Sequence, residues 1–286
     1  MALADTLAEA WYGKRAAPWW TAPLAALYGG VTRLRRRLYR MGWLSSVRLP
    51  VPVAVVGNVS VGGTGKTPLT IALVEALRAR GFRPGVVSRG YGGAETGPAL
   101  LGERPDPARF GDEPCLIHAA GTPVAVGRDR PAAARLLIEA GCDVILADDG
   151  LQHYRLRRDV EICVIDGARR FGNGRLLPAG PLREPLARLD EVDFRVCNGG
   201  DATADEVPMR LEGGMARALH GATVQTLDAF RGQPVHALAG IGHPERFFDD
   251  LRARGIEVLA HPFPDHHAYS PGELDFGDSL PVLMTE

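Results

Sequence analysis

Short apolar runs alternate with amphipathic stretches along most of the chain. Residues 51–56 (Val-Pro-Val-Ala-Val-Val) are rich in β-branched side chains, the pattern of a strand buried on both faces. From Pro68 to Arg80, Leu69, Leu73, Ala76 and Leu77 fall at helical spacing, and Gly81 closes the segment. Further elements follow in the same style. A strand at 84–88 runs into a glycine-rich loop, Arg109 to Pro114 opens a helical segment, 122–126 reads as a strand and 129–140 as a helix, and 143–148 and 160–166 are strands. This alternation predicts an α/β fold, a mostly parallel sheet covered by helices on both faces, with ligands at the carboxyl ends of the strands. Glycine and charge loosen the composition over 198–217. Beyond it, 235–239 reads as a strand, 245–254 as a helix and 256–260 as a strand. The expected organisation is an N-terminal segment over 1–48, a main domain over 49–226 and a smaller α/β domain over 227–286.

The N-terminal segment has its own character. Ala16 to Val31 is apolar and aromatic but interrupted by Pro18 and Pro23, and it is shorter than the roughly 20 residues of a membrane-spanning helix. Arg33 to Arg40 is basic, with Leu34 and Leu38 four residues apart. Tryptophan, tyrosine and arginine together suit an amphipathic helix lying in lipid headgroups; the alternative is a helix packed on its own domain with arginines in water. A cleavable signal peptide is not expected, because no basic start leads into an unbroken apolar stretch and a small-residue cleavage site.

Charge and cysteine narrow the field. A net charge of -1 gives no support to nucleic-acid binding as the main activity. Cys115, Cys142, Cys163 and Cys197 are scattered, which fits reduced thiols and excludes zinc-ligand spacing.

Only two lysines occur, Lys14 and Lys66, in a chain that otherwise carries its positive charge on arginine. Lys66 sits in Gly62-Gly63-Thr64-Gly65-Lys66-Thr67, between the first strand and the first helix of the main domain. A phosphate-binding loop explains its retention, since a compact ammonium lies along β- and γ-phosphates where a guanidinium fork does not fit. Ser60, Val61, Gly62, Gly63, Thr64, Gly65, Lys66 and Thr67 are therefore the expected nucleotide contacts, with the Thr67 hydroxyl on Mg²⁺. The first glycine of the usual pattern is replaced by Ser60, and the doubled Gly62-Gly63 is expected to supply the freedom. The variant loops of the ParA and MinD ATPases are similar, but their extra lysine falls at Val61. Asp148-Asp149, after the apolar 144–147, stands where a Walker B acid holds the metal shell. Asp112 and Glu113 open a predicted helix, where acids also serve as caps. A carboxylate and an imidazole from separate domains, Asp112 and His266, are able to activate a hydroxyl for attack on phosphorus.

An ordered series of segments resembles the tetraacyldisaccharide 4'-kinases, the lipid A 4'-kinases. It consists of 57–68 around the phosphate loop, Ser88-Arg-Gly-Tyr-Gly92, Gly111-Asp-Glu-Pro114, Gly127-Arg-Asp-Arg130, Asp148-Asp-Gly-Leu-Gln-His153, Leu182-Arg-Glu-Pro185, Ala239-Gly-Ile-Gly242 and Asp265-His266. The resemblance implies ATP-dependent phosphorylation of the 4'-hydroxyl of an acylated glucosamine disaccharide 1-phosphate, at the cytoplasmic face of the inner membrane. It implies Asp112 as base paired with His266, and Lys66, Thr67, Glu113 and Asp149 serving phosphates and Mg²⁺. Arg89, Arg128, Arg130, His153 and Arg183 are implied on the substrate side, with Glu184 in support. The family continues beyond a Thr-Glu pair corresponding to Thr285-Glu286, so 281–284 is expected as an exposed sheet element. Two other classes fit parts of the pattern. A membrane-associated ATPase switch of the MinD kind accounts for the loop and the membrane helix but not for the arginines. A GTPase needs a lysine two residues before an aspartate, and neither lysine has one.

Overall fold

The computed structural model describes residues 3–285 apart from 14, 212, 220, 222, 243, 265, 266 and 268. The chain forms two compact units, Met1–Arg210 and Leu211–Glu286. The first begins with two helices, α1 (Leu3–Tyr12) and α2 (Thr21–Arg40). Its strands are β1 (Val53–Gly57), β2 (Pro84–Ser88), β3 (Ala99–Leu100), β4 (Val124–Val126), β5 (Val144–Asp148), β6 (Val160–Asp166), β7 (Phe194–Asn198) and β8 (Val207–Met209). They lie in the order β3-β4-β2-β5-β1-β6-β7-β8, parallel throughout except for the edge pair β3–β4.

The helices α3 (Lys66–Arg78), α4 (Pro107–Phe110), α5 (Asp112–Ala119) and α6 (Arg130–Glu139) complete this unit. The period-two alternation of strands sorts side chains into two layers. Val53, Val55, Val87, Ile145 and Ala147 pack with Ala133 and Leu137 of α6. On the other face, Val86 and Leu146 pack with Val74 of α3 and Ile117 of α5, and Val56 with Ile162. Each such side chain contributes roughly 1.5–3 kcal/mol on burial, so both faces hold the sheet. β1 lies between β5 and β6, which places the loop after β1 at the centre of the carboxyl edge.

The second unit has its own sheet and core. The antiparallel pair β9 (Met215–Arg217) and β10 (Val224–Thr226) leads into a 3₁₀ turn, Leu227–Phe230. Leu227 and Phe230 enter the second core, and the Leu227 N–H bonds to the Gly214 carbonyl. These contacts tie 211–226 to the second unit, although composition groups this stretch with the main domain. β11 (Pro234–Ala239) lies between β12 (Glu257–Pro262) and β13 (Val282–Met284), parallel to both. The helix α7 (Pro244–Ala253) packs Phe248 and Leu251 against Val235, Ala237 and Ala239. β13 is an edge strand that exposes Val282 while burying Leu283.

Among the described residues no helix is long and apolar enough to cross a membrane. α2 buries Thr21 and Gly29, whereas Leu24, Leu27, Val31 and Leu34 form an exposed stripe at alternating three- and four-residue spacing. Trp19, Met41, Trp43 and Leu44 extend this apolar surface at either end.

Candidate active site

The loop after β1 is held open by side chains that bind its carbonyl groups. Tyr12 Oη donates to the Val61 carbonyl (3.2 Å), Asn58 Nδ2 to Gly62 (3.5 Å), an Arg169 guanidinium N–H to Gly63 (3.2 Å) and Asn198 Nδ2 to Thr64 (2.9 Å). In a trans peptide the carbonyl and the next N–H point to opposite sides. Tying down these four carbonyls therefore turns the N–H groups of Gly62, Gly63, Thr64 and Gly65 the other way. Among the described residues these N–H groups meet no acceptor, which is the condition of an anion-binding nest. Ser60, in the place of the usual first glycine, is buried and bridges Leu182, and the Val61 N–H bonds to the Pro181 carbonyl. Backbone freedom comes from Gly62 (φ 102°) and Gly65 (φ 92°). Gly65 admits no side chain, because a Cβ would stand 2.2 Å from Asn198 Nδ2. It caps α3, so the positive end of that helix faces the nest.

Lys66 and Thr67 begin α3, both buried. Lys66 Nζ lies 3.7 Å from Asp149 Oδ1. The adjacent carboxylates do different things. Asp149 leaves β5 with φ 45°, a left-handed conformation that aspartate tolerates, and so turns back toward the loop. One Arg183 nitrogen bonds both of its oxygens (2.8 and 2.9 Å). Burial alone would raise its pKa, but Lys66 and Arg183 outweigh that and hold it below the usual carboxylate range. Asp148 ends β5 with no exposure, takes the Thr70 hydroxyl on Oδ1 (3.1 Å), and leaves Oδ2 buried without a partner. Burial, then the nearby Glu113 carboxylate, push its pKa up to about 7 against the pull of Lys66.

Arginines gather around Asp149. Arg130 is buried at the start of α6, donates to the Asp149 carbonyl (2.9 Å) and keeps a second nitrogen buried without a partner. Burial lowers its pKa, and the neighbouring Arg89 charge adds to that. Arg89 and Arg128 are exposed. His153 is pushed down to about 4 by burial and then by Arg130, Arg158 and Arg35, so it is neutral near pH 7, with Nε2 buried and unpartnered. Tyr28 of α2 donates to the Arg183 carbonyl (3.0 Å) and Arg35 to the Gln152 carbonyl (3.2 Å), so the N-terminal helix abuts this face. A cavity of about 340 Å³ beside it is lined by Thr32, Arg33, Arg36, Arg37, Arg40, Glu184 and Pro185.

Comparison with known proteins decides the family. The model of the tetraacyldisaccharide-1-P 4'-kinase family matches residues 17–286. The chain belongs to this family. The tetraacyldisaccharide 4'-kinase of Stenotrophomonas maltophilia (strain R551-3) is 58% identical over 96% of this chain and 85% of its own length. That of Xanthomonas euvesicatoria pv. vesicatoria (strain 85-10) is 55% identical over 96% and 84%. The fold matches a crystal structure of LpxK from Aquifex aeolicus in complex with ATP, with a TM-score of 0.73, 30% identity, and coverage of 92% of this chain and 86% of that one.

Within this family's frame, the structure brings Lys66, Asp149, Arg183 and Arg130 into one linked group. Asp112 opens α5 at its first position; the cap residue itself is Gly111, and Asp112 stands in the first turn, where acidic side chains suit the helix end. Gly111 has φ 90°, and a Cβ there would meet the Tyr91 carbonyl at 2.4 Å. Glu113 shares the same first turn. His266 lies outside the described residues. Glu184 is buried in a polar network, accepting from Tyr154 Oη and from Gln152 Nε2 (3.3 Å), with Arg188 at 3.6 Å. Sequence reasoning missed Asn58, Asn198, Arg169 and Tyr12 at the loop, and Thr70 on Asp148. Asn58 alone carried a local sign, its place just after β1.

Proposed function

We propose that this chain transfers the γ-phosphate of ATP to the 4'-hydroxyl of a tetraacyldisaccharide 1-phosphate, giving the bis-phosphorylated lipid A precursor. The observation that carries this reading is Asp149, whose Oδ1 lies 3.7 Å from Lys66 Nζ of the nucleotide loop and 2.8 Å from Arg183, and whose carbonyl accepts from Arg130. A nucleotide site and an anion site thus share one group, as a kinase with a phosphorylated acceptor requires.

The residues fit Mg²⁺. Thr67, Glu113, Asp148 and Asp149 offer hard oxygen donors, and Oδ2 of Asp148 is buried and unpartnered. Among the described residues no group of three or more His, Cys, Asp or Glu side chains stands ready to hold a metal alone. That suits Mg²⁺, which uses one or two carboxylates together with nucleotide phosphates. Held by these oxygens, Mg²⁺ would supply positive charge against that developing on the transferred group.

In the reaction the 4'-oxygen forms a bond to the γ-phosphorus as the bond to the ADP oxygen breaks. Asp112 takes the hydroxyl proton, the role that the resemblance implies for it together with His266. Lys66 and the N–H nest hold the phosphates, while Arg130, Arg183, the neutral His153 and the exposed Arg89 and Arg128 receive the acceptor headgroup. Glu184 supports that face through Tyr154 and Arg188. The exposed stripe of α2 lies in the headgroup region of the inner membrane, on its cytoplasmic face, and the arginine-lined cavity beneath it suits an anionic lipid.

The test supplies labelled ATP and an acylated disaccharide 1-phosphate in detergent or vesicles and identifies the lipid product by mass. A singly labelled bis-phosphorylated lipid is expected. Phosphate release unaffected by the acceptor would instead favour an ATPase switch.

A further inference from the structure

Two of the four donors that shape the nucleotide loop depend on α1, a helix that lies before the residues matched by the family pattern. The carboxyl end of α1 is well fastened. Asn173 Nδ2 donates to the Ala10 carbonyl (3.0 Å), the Asn173 N–H to the Trp11 carbonyl (2.8 Å), and Trp11 Nε1 to the Pro178 carbonyl (2.9 Å). These bonds satisfy carbonyls that a helix end otherwise leaves open. They also fix Tyr12 above the loop, with its hydroxyl on the Val61 carbonyl. The Arg169 guanidinium stacks on the Tyr12 ring, 5.1 Å from its centroid, and donates to the Gly63 carbonyl. Arg169 is in turn oriented by Asp166, at the end of β6, through a 2.9 Å bond from Nε.

We infer that α1 is part of the nucleotide site: Tyr12 and Arg169 act as one latch that positions the phosphate-binding loop from outside. Both are positioning residues. Holding the Val61 and Gly63 carbonyls directs the N–H groups of Gly62 and Thr64 toward the phosphates. Glycine-rich loops are otherwise free to rotate their peptide planes, and that freedom would be lost on binding each nucleotide. The latch removes it in advance. The inference rests on the kinase reading only in taking ATP as the ligand.

The experiment measures Mg·ATP binding by calorimetry, together with separate KM values for ATP and acceptor, on the full-length protein and on Tyr12→Phe, Tyr12→Ala, Arg169→Lys and Arg169→Ala. Tyr12→Phe keeps the ring stack and loses one hydrogen bond, so ATP binding is expected to weaken about fivefold. Tyr12→Ala and Arg169→Ala are expected to weaken it on the order of tenfold or more, and their combination by less than the product, since the two side chains touch. Arg169→Lys should recover only part, because an ammonium lacks the planar fork. The acceptor KM and the melting temperature of the nucleotide-free Tyr12→Phe protein should stay at wild-type values. Wild-type ATP affinity in both alanine variants would overturn the latch. So would equal changes in both KM values that follow a lowered melting temperature. Failure of the wild type to bind ATP would overturn the kinase reading itself, and the latch with it.

Discussion

Asp148→Asn should make the nucleotide-free protein more stable and the enzyme inactive. The carboxyl is completely buried, its Oδ1 is satisfied by Thr70, and its Oδ2 has no partner. Its pKa rises from 3.8 to about 7, through burial first and then Glu113. The sign follows from proton linkage. Between these values the folded protein keeps a proton that the unfolded chain has released, so stability falls as pH rises across the window. At about 1.4 kcal/mol per unit, roughly three units amount to about 4 kcal/mol above pH 7 as an upper limit, and relaxation around the site brings the expected gain to on the order of 2 kcal/mol. Asparagine retains an oxygen for the Thr70 hydroxyl and has no charge to desolvate. Melting curves in a chelator should therefore show the variant above wild type at pH 8.5, with the gap roughly halved at pH 5.5 and closed only near pH 4. On the proposal that the ionised Asp148 carboxylate receives the metal, Mg·ATP should raise the wild-type melting temperature more as pH rises and should do little for the variant. A variant less stable than wild type at pH 8.5, or a gap independent of pH, would show that burial does not hold a proton on Asp148.

Three further outcomes are expected. Lys66→Ala should abolish transfer in a folded protein; turnover at the wild-type rate would remove Lys66 from the phosphate site. Asp112→Ala and His266→Ala should each lower kcat by roughly 10²-fold or more, with the double variant little worse, because members of a catalytic unit are non-additive. Rate losses that simply multiply would separate the pair. Replacing Leu24, Leu27, Val31 and Leu34 together by serine should weaken binding to anionic vesicles and spare ATP affinity, since all four are exposed; unchanged sedimentation with vesicles would count against membrane contact by α2.

Much of the fold was written locally. The apolar runs at 84–88, 143–148 and 160–166 became β2, β5 and β6 within a residue, and the helical spacings became α3 and α6. Period-two and period-3.6 patterns record which side of an element faces the core, and that is settled by neighbours a few residues away. The phosphate loop was legible for the same reason, because strand, glycines and helix are contiguous. Short or polar elements left no such record. β3 has two residues, and β8 exposes Val207 and Pro208, so neither carries a periodicity to detect.

The chain sequence alone thus determined the strongly patterned elements, the nucleotide loop and its lysine, and the candidate carboxylates and arginines. Tertiary structure decided what those groups touch. Asn198 reaches the Thr64 carbonyl across 134 residues, and Tyr12 and Arg169 meet on the loop from widely separated parts of the first unit's sequence. Asp148 and Asp149 are chemically identical neighbours in the sequence. A left-handed turn at Asp149 and the closed face of β5 give one carboxylate three cationic neighbours and leave the other buried beside Glu113. The placement of Lys66, Arg183, Arg130 and Glu113 around the two carboxylates made that difference. It was set by packing between distant segments, whose energies no local pattern of residues encodes.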